Sequence, residues 1–191
     1  NIDAIEVVCI DGWHDILRAY CKQFNITKLD NIVSGGKNGQ DSIRNGVMDI
    51  ASRHNKDDIV LIHDAIRPMV SEEIISDCIR VCTLNGNAIT VIPCAEAMLV
   101  TSDGESAVEQ ENRDHLKRTQ THQAMRLGEL VELHQEALKK GITSSVATCT
   151  LLIEMGKKVY FSSGSEKNIK LTTPEDIDIF KALLKSKRAE W

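Results

Sequence analysis

Along this chain, short apolar runs alternate with stretches whose apolar residues recur every three or four positions, the two spacings expected of strands and helices. Ala4–Ile10 reads as a buried strand, and Trp13–Phe24 follows with Trp13, Ile16, Leu17 and Tyr20 at helical spacing. Ile32–Ser34 is a short strand that leads into Gly35-Gly36, and Ser42–Arg53 carries Ile43, Val47, Ile50 and Ala51 on one helical face. Ile59–Ile62 is a continuous apolar run, the kind found when both faces of a sheet are covered. Ser71 is placed to cap a helix with Glu72 and Glu73 in its first turn, running to about Leu84 and ending at Asn85-Gly86-Asn87. Ala88–Pro93 is the next strand. From Cys94 to Arg113 the pattern changes to short extended pieces around Ser102-Asp103-Gly104, as in a β-hairpin. Helices at Leu127–Lys140 and Cys149–Met155 end at Gly141 and Gly156. Val159–Phe161 is a strand, and Pro174 opens the last helix at its first turn.

Strand–helix alternation of this kind predicts an α/β fold, Rossmann-like, with a mainly parallel sheet, helices on both faces and a protruding hairpin arm at about 94–113. The length of 191 residues suits a single domain, 1–191. A net charge of -5 argues against a nucleic-acid-coating role, which usually needs a basic excess, while leaving room for a small anion held by a few local cations. No apolar run approaches the ~18 residues needed to span a bilayer. Asn1–Ala4 shows no basic patch followed by an apolar stretch, so a cytoplasmic protein is the expectation. The six cysteines are scattered through apolar segments without a paired spacing, which predicts buried, inert thiols.

Ligands of open α/β sheets sit outside the carboxyl ends of the strands, so the residues just after each strand carry the candidate chemistry. Gly35-Gly36-Lys37-Asn38-Gly39-Gln40-Asp41-Ser42 joins a strand to a helix; it is either a loop approached closely by an anion or a turn with Asp41 or Ser42 as N-cap. His63-Asp64-Ala65-Ile66-Arg67-Pro68 follows the Ile59–Ile62 strand. There Asp64 could hold Mg²⁺ and Arg67 a phosphate, or the two could be a structural pair that fixes the loop, with His63 structural. Arg113 and Gln120-Thr121-His122-Gln123 lie at the return from the hairpin, where the planar guanidinium suits phosphate. In Asn168-Ile169-Lys170-Leu171-Thr172-Thr173-Pro174-Glu175-Asp176, Lys170 is the functional candidate, and Thr173 with its two acids reads as a helix start.

In order and spacing, these four segments resemble the family of 2-C-methyl-D-erythritol 4-phosphate cytidylyltransferases and their ribitol-5-phosphate relatives, from about Ile5 to the last helix. The resemblance implies a nucleotidyltransferase of isoprenoid-type biosynthesis in which the phosphate of a sugar-alcohol phosphate attacks the α-phosphorus of CTP and pyrophosphate leaves. It implies that Asp64 coordinates Mg²⁺ and that Gly36, Ser42 and Ala65 contact the cytidine. Arg67, Arg113, Thr121 and Lys170 would surround the phosphates, with Arg113 and Lys170 nearest the reacting centre. It also implies a homodimer built by exchanging the hairpin arms.

The chain departs from the pattern at several points. The family begins with a strand and a Gly-rich basic loop around the triphosphate, which these 191 residues do not contain. The expectation is therefore an apolar surface or an unpaired strand edge in the sheet, and weak pyrophosphate release by these residues alone. Glu96-Ala97 stands where the family has Asp-Thr on the arm, Gly39 replaces an arginine, His122 replaces a proline, and Val146-Ala147 replaces Thr-Asp. Methylerythritol phosphate is the acceptor usual for the motif set, while Trp13 and Cys149 resemble the ribitol type. A diverged homologue that binds nucleotide or dimerises without catalysis is the competing reading.

Overall fold

The computed structural model describes residues 2–189, with side chains to residue 186. Asn1 and the last two positions of the expected 1–191 unit lie outside the described residues. Two strands, β1 (Ile5–Cys9) and β2 (Leu29–Ser34), pair in parallel around helix α1 (His14–Gln23). Helix α2 (Gly39–Ala51) then leads to β3 (Ile59–Ile62). Helix α3 (Glu72–Asn85) and β4 (Asn87–Pro93) follow, then the arm strands β5 (Met98–Val100) and β6 (Glu109–Glu111). Strand β7 (Lys117–Arg126), helices α4 (Leu127–Lys139) and α5 (Thr148–Glu154), strand β8 (Phe161–Ser163) and helix α6 (Pro174–Ala189) complete the order. The main sheet runs β3-β7-β4-β8; β7 is antiparallel to both neighbours and β8 is parallel to β4, so three of its four strands point one way.

Alternation along the strands assigns the two faces. Ile59 and Leu61 of β3, with Ala88 of β4 and Ala124 of β7, pack on Cys78, Val81 and Cys82 of α3. Val60 and Ile62 face the other way, where Ile89, Val91 and Met125 meet Leu130 and Leu133 of α4 and Leu151 and Leu152 of α5. Val47 of α2 joins this second layer, which ties the β1–β2 pair to the rest of the molecule. The α/β class with helices on both faces is the one the pattern predicts, with one antiparallel strand set into the sheet.

Most elements fall where the spacing places them, with three differences. Helix α2 begins at Gly39 because Asn38, rather than Asp41 or Ser42, is its N-cap: the Asn38 side chain accepts the Asp41 N–H at 2.9 Å. The last strand is Phe161–Ser163, not Val159–Phe161, set by pairing of Phe161 with Ile89. The return from the hairpin is the ten-residue strand β7, buried from Gln120 to Met125. Of the six free thiols, Cys78, Cys82, Cys94 and Cys149 are buried, while Cys9 and Cys21 are half-buried. No helix among the described residues is long and apolar enough to cross a membrane.

Among the described residues, the β1–β2 pair and the main sheet are not hydrogen-bonded to each other. Between β1, α2 and β3 lies an apolar cleft of about 450 Å³. Val8 and Val60 line it, and Ser42, Asp64 and Ala65 are also on its wall. Gly46 sits under Val8: a Cβ there would come within 2.8 Å of the valine methyl.

Candidate active site

The carboxyl ends of β1, β2 and β3 open on one side of the molecule, and the predicted loops follow them. At the end of β2, Gly36 donates its N–H to the Ser42 hydroxyl at 3.0 Å, and that hydroxyl donates to the Asn38 carbonyl at 2.9 Å. The loop folds so tightly on the start of α2 that a Cβ on Gly36 would lie 2.2 Å from the Asp41 Cβ. The second glycine is therefore required by close approach. A crevice of about 360 Å³ opens here, lined by Cys9, Asp11, Gly35, Gly36 and Ser42. It meets the larger cleft at Val8 and Ser42.

At the end of β3, the chain makes a turn closed by the Arg67 N–H on the Asp64 carbonyl at 2.9 Å. Within it, Arg67 Nε lies 3.2 Å from Asp64 Oδ2, and Lys170 Nζ reaches the same oxygen at 3.3 Å. Arg67 is the least exposed of the three at 11%, against 34% for Asp64 and 44% for Lys170. The guanidinium is thus a fixture and the lysine a group open to a ligand. Two cations around one carboxylate leave the mouth of the site with a positive excess suited to phosphate.

What holds Lys170 in place is Asn168, which is fully buried. Its amide donates to the Thr121 carbonyl at 2.9 Å and to Gln120 Oε1 at 3.3 Å, while its own carbonyl accepts Arg67 Nη1 at 2.7 Å. The Leu171 N–H on the Ile66 carbonyl at 2.8 Å completes the junction. Beyond it, the Asp176 carboxylate accepts the N–H groups of Thr172 and Thr173, each at 2.8 Å, so Thr172–Asp176 is a helix start. Those donors hold the Asp176 carboxyl below the usual range.

The strand carrying Gln120–Gln123 reaches the site through an irregularity in register. Between β4 and β7, the pairing Ile89 with Gln123 gives way to Val91 with Thr119, so β7 uses more residues than β4 over the same rise. Thr121 is thereby brought to the end of β3, where its hydroxyl accepts the Asp64 N–H at 3.1 Å and lies 3.0 Å from His63 Nδ1. His63 and His122 stack with ring centroids 4.3 Å apart. Burial pushes the His122 imidazole down to about 4, helped by the neighbouring His63. Burial also lowers His63, against the raising pull of the Arg67 carbonyl and the Asp64 charge.

Of the residues singled out from sequence, Asp64, Arg67, Lys170 and Thr121 are brought together, with Ala65, Gly36 and Ser42 on the adjoining clefts. Arg113 is not among them. It sits in the short turn Arg113–His115 at the base of the arm and donates to the Ala95 carbonyl at 2.8 Å. Asn168 carries no signal in the sequence, because it follows the equally polar Ser165-Glu166-Lys167.

A family model described as 2-C-methyl-D-erythritol 4-phosphate cytidylyltransferase matches residues 2–186. The chain is 39% identical to a ribitol-5-phosphate cytidylyltransferase of Lacticaseibacillus paracasei, over 98% of this chain and 81% of that protein. It is 35% identical to a 2-C-methyl-D-erythritol 4-phosphate cytidylyltransferase of Clostridium botulinum, over 96% of this chain and 79% of that protein. Among solved structures, 4-diphosphocytidyl-2C-methyl-D-erythritol synthase of Anaerococcus prevotii superposes with a TM-score of 0.84 at 25% identity, covering 96% of this chain and 82% of that one.

Proposed function

Starting from the fact that this chain belongs to the 2-C-methyl-D-erythritol 4-phosphate cytidylyltransferase family, we propose that it transfers CMP from CTP to ribitol 5-phosphate. Cytidylyl transfer to a sugar-alcohol phosphate is common to the relatives of both names. The choice of ribitol rests on the 39% identity to the Lacticaseibacillus paracasei protein named for that acceptor, against 35% for the Clostridium botulinum protein named for methylerythritol phosphate. Methylerythritol phosphate is the second reading, favoured by the name of the matching family model.

One observation carries the reading: Asp64, Arg67 and Lys170 meet at the carboxyl end of β3, beside the crevice that ends at Gly36 and Ser42. The cytidine would lie where that crevice meets the larger cleft, with Gly36 and Ser42 on the crevice side and Ala65 on the cleft wall. The acceptor's phosphate oxygen attacks the α-phosphorus of CTP, the bond to the β-phosphate breaks, and pyrophosphate departs. Little covalent chemistry falls to the protein in such a transfer, so its contribution is alignment and charge neutralisation. Arg67, held by Asp64 and the Asn168 carbonyl, adds a fixed positive charge beside the phosphates. Lys170, half-exposed, can leave Asp64 Oδ2 and follow the charge as it develops.

A single carboxylate fits Mg²⁺, a hard cation that binds through one or two carboxylates together with phosphate oxygens and water. Arg67 and Lys170 both contact Oδ2, so Oδ1 of Asp64 would be the protein's ligand to an ion carried in with the nucleotide. When bound, Mg²⁺ would supply charge neutralisation on the phosphates and a fixed angle between them.

The arm strands expose Met98, Leu99 and Val100, with Leu99 at 67% and Val108 at 99%, and this supports a homodimer through the arms.

The test is pyrophosphate release from CTP and Mg²⁺ by the purified protein, with each acceptor in turn. Even slow turnover discriminates, because the ratio of kcat/KM values is read. We expect ribitol 5-phosphate to be favoured at least about tenfold, equivalent to ~1.4 kcal/mol in the transition state. Equal use of both acceptors removes the assignment of ribitol, and no cytidylyl product with either removes the function.

A further inference from the structure

His63 stands beside the candidate metal ligand on the wall of the larger cleft, yet no hydrogen bond joins its ring to the charged side chains there. Both ring nitrogens are instead engaged with the backbone and hydroxyl groups that shape the turn. Nε2 lies 3.1 Å from the Arg67 carbonyl. A carbonyl only accepts, so the hydrogen is on Nε2. Nδ1 is then the lone-pair side, 3.0 Å from the Thr121 hydroxyl. That hydroxyl already accepts the Asp64 N–H at 3.1 Å, so its own proton is free to go to Nδ1.

The direction of each bond is therefore fixed by what its partners can do. Asp64 N–H donates to Thr121, Thr121 donates to His63, and His63 donates to Arg67, whose N–H returns to the Asp64 carbonyl at 2.9 Å. The buried His122 ring covers one face of His63 at 4.3 Å. Such a circuit fixes the turn from both ends: the amide of Asp64 and the carbonyl of Arg67.

We propose that His63 is a positioning residue, whose imidazole links Thr121 to the Arg67 carbonyl and so sets the turn that aims the Asp64 carboxylate and the Arg67 guanidinium. The inference rests on the cytidylyl-transfer reading for its effect on rate, but not for its effect on the turn. A displacement of ~1 Å in a reacting group costs on the order of 100-fold in rate, so the turn is the place where a residue without substrate contact affects catalysis.

Two variants separate hydrogen bonding from packing. His63→Phe keeps an aromatic ring against His122 and removes both nitrogens; His63→Gln restores a donor and an acceptor at the end of a side chain of similar reach. The first readout is hydrogen exchange of the Asp64 amide by NMR, which needs no activity. We expect His63→Phe to speed that exchange at least about tenfold, the change for loss of one net hydrogen bond, and His63→Gln to recover most of it. The second readout is kinetic: kcat falls about 10- to 100-fold in His63→Phe while KM for CTP stays within about threefold, and His63→Gln is again the better enzyme. Thr121→Val, which removes the acceptor of the Asp64 N–H itself, sets the exchange rate of a fully cut circuit, and His63→Leu replaces His63→Phe if the latter fails to fold.

Unchanged Asp64 exchange in His63→Phe overturns the proposal, whatever Thr121→Val does, because Thr121 accepts the Asp64 N–H directly. So does a His63→Gln protein as impaired as His63→Phe, because packing alone would then explain the position. A protein that turns over neither acceptor yet shows the exchange pattern supports the role of His63 and overturns the proposed function instead.

Discussion

His134 on α4 is 1% exposed, and neither ring nitrogen has a hydrogen-bond partner among the described residues. Gln40, Ile43, Ser145, Thr148 and Leu151 surround it in a space too small to hold a water molecule. Charging an imidazole there is unfavourable: burial pushes His134 down to about 4 from an ordinary 6.5, and the charge of Arg44 acts in the same direction. The sign follows from linkage. Above about pH 6.5 the ring is neutral folded or unfolded and has no effect on stability. As the pH falls below 6.5, the unfolded chain binds a proton that the folded one refuses, so stability declines until the folded ring itself protonates near pH 4.

Each such proton is worth about 1.4 kcal/mol per pH unit, or roughly 2.7 kcal/mol between pH 6.5 and 4.5, a large share of the 5–15 kcal/mol typical of a domain. His122, pushed down to about 4 by burial, adds a second term of the same sign, and His63 adds to it. Glu6 opposes them. Its carboxyl is pushed up to about 7 by burial and by Asp49, so in the same window the folded state binds the extra proton. The difference between two proteins is cleaner than either curve, because Glu6 and His122 cancel. His134→Met replaces an unpartnered polar ring with an apolar side chain of similar size, close to neutral at pH 7. Urea unfolding from about pH 7 to 4.5 should then show the variant's stability falling less steeply by about 1.4 kcal/mol per pH unit. Parallel curves, or an NMR titration of His134 near 6.5, would refute the reasoning.

Other perturbations test the site and its frame. Asp64→Asn keeps the shape of the turn and removes the charge, so Mg²⁺-dependent CTP binding should weaken at least about tenfold by calorimetry; unchanged affinity makes Asp64–Arg67 a structural pair only. Lys170→Gln should lower kcat by about 10²–10³ with the melting temperature nearly unchanged, since the side chain is 44% exposed; a drop in stability with no drop in kcat would reverse its role. Gly36→Ala forces a Cβ to within 2.2 Å of Asp41 and should cost about 1–3 kcal/mol by denaturant melts, with CTP affinity lost alongside; a silent substitution would mean the loop is loose. Leu99→Asp on the arm should shift a dimer toward monomer in sedimentation, and a wild-type monomer at high concentration removes the arm-exchange proposal.

Much of this architecture could be read from periodicity because the core obeys it. Ile59-Val60-Leu61-Ile62 divides its side chains between two helical layers, and Ser71 and Gly86 bracket α3 as capping rules require. What escaped the pattern was β7. Its buried stretch runs Gln120-Thr121-His122-Gln123 before Ala124 and Met125, a polar sequence that no hydrophobic alternation identifies as a central strand. For three of these four polar side chains the polarity has a use. Gln120 binds Ser165 and Asn168, Thr121 receives Asp64, and Gln123 accepts the Cys149 N–H at the start of α5.

The same reasoning explains why three of the four cations and acids singled out together do converge and the fourth does not. Asp64 and Arg67 share one turn, and Lys170 is tied to that turn by the buried Asn168, whose side-chain amide donates into β7 and whose backbone carbonyl accepts Arg67. These are consequences of strands that end side by side. Arg113 follows the arm, and an arm's orientation depends on what packs against it rather than on the sheet. Its expected place near the phosphates therefore needs a partner's surface, whereas the Asp64–Arg67–Lys170 group needs only this chain. Loss of the proposed dimer should accordingly remove any contribution of Arg113 to turnover while leaving the Asp64-dependent binding of CTP intact. An arm-truncated protein that loses Asp64-dependent binding as well would show that the two halves of the site are not separable in this way.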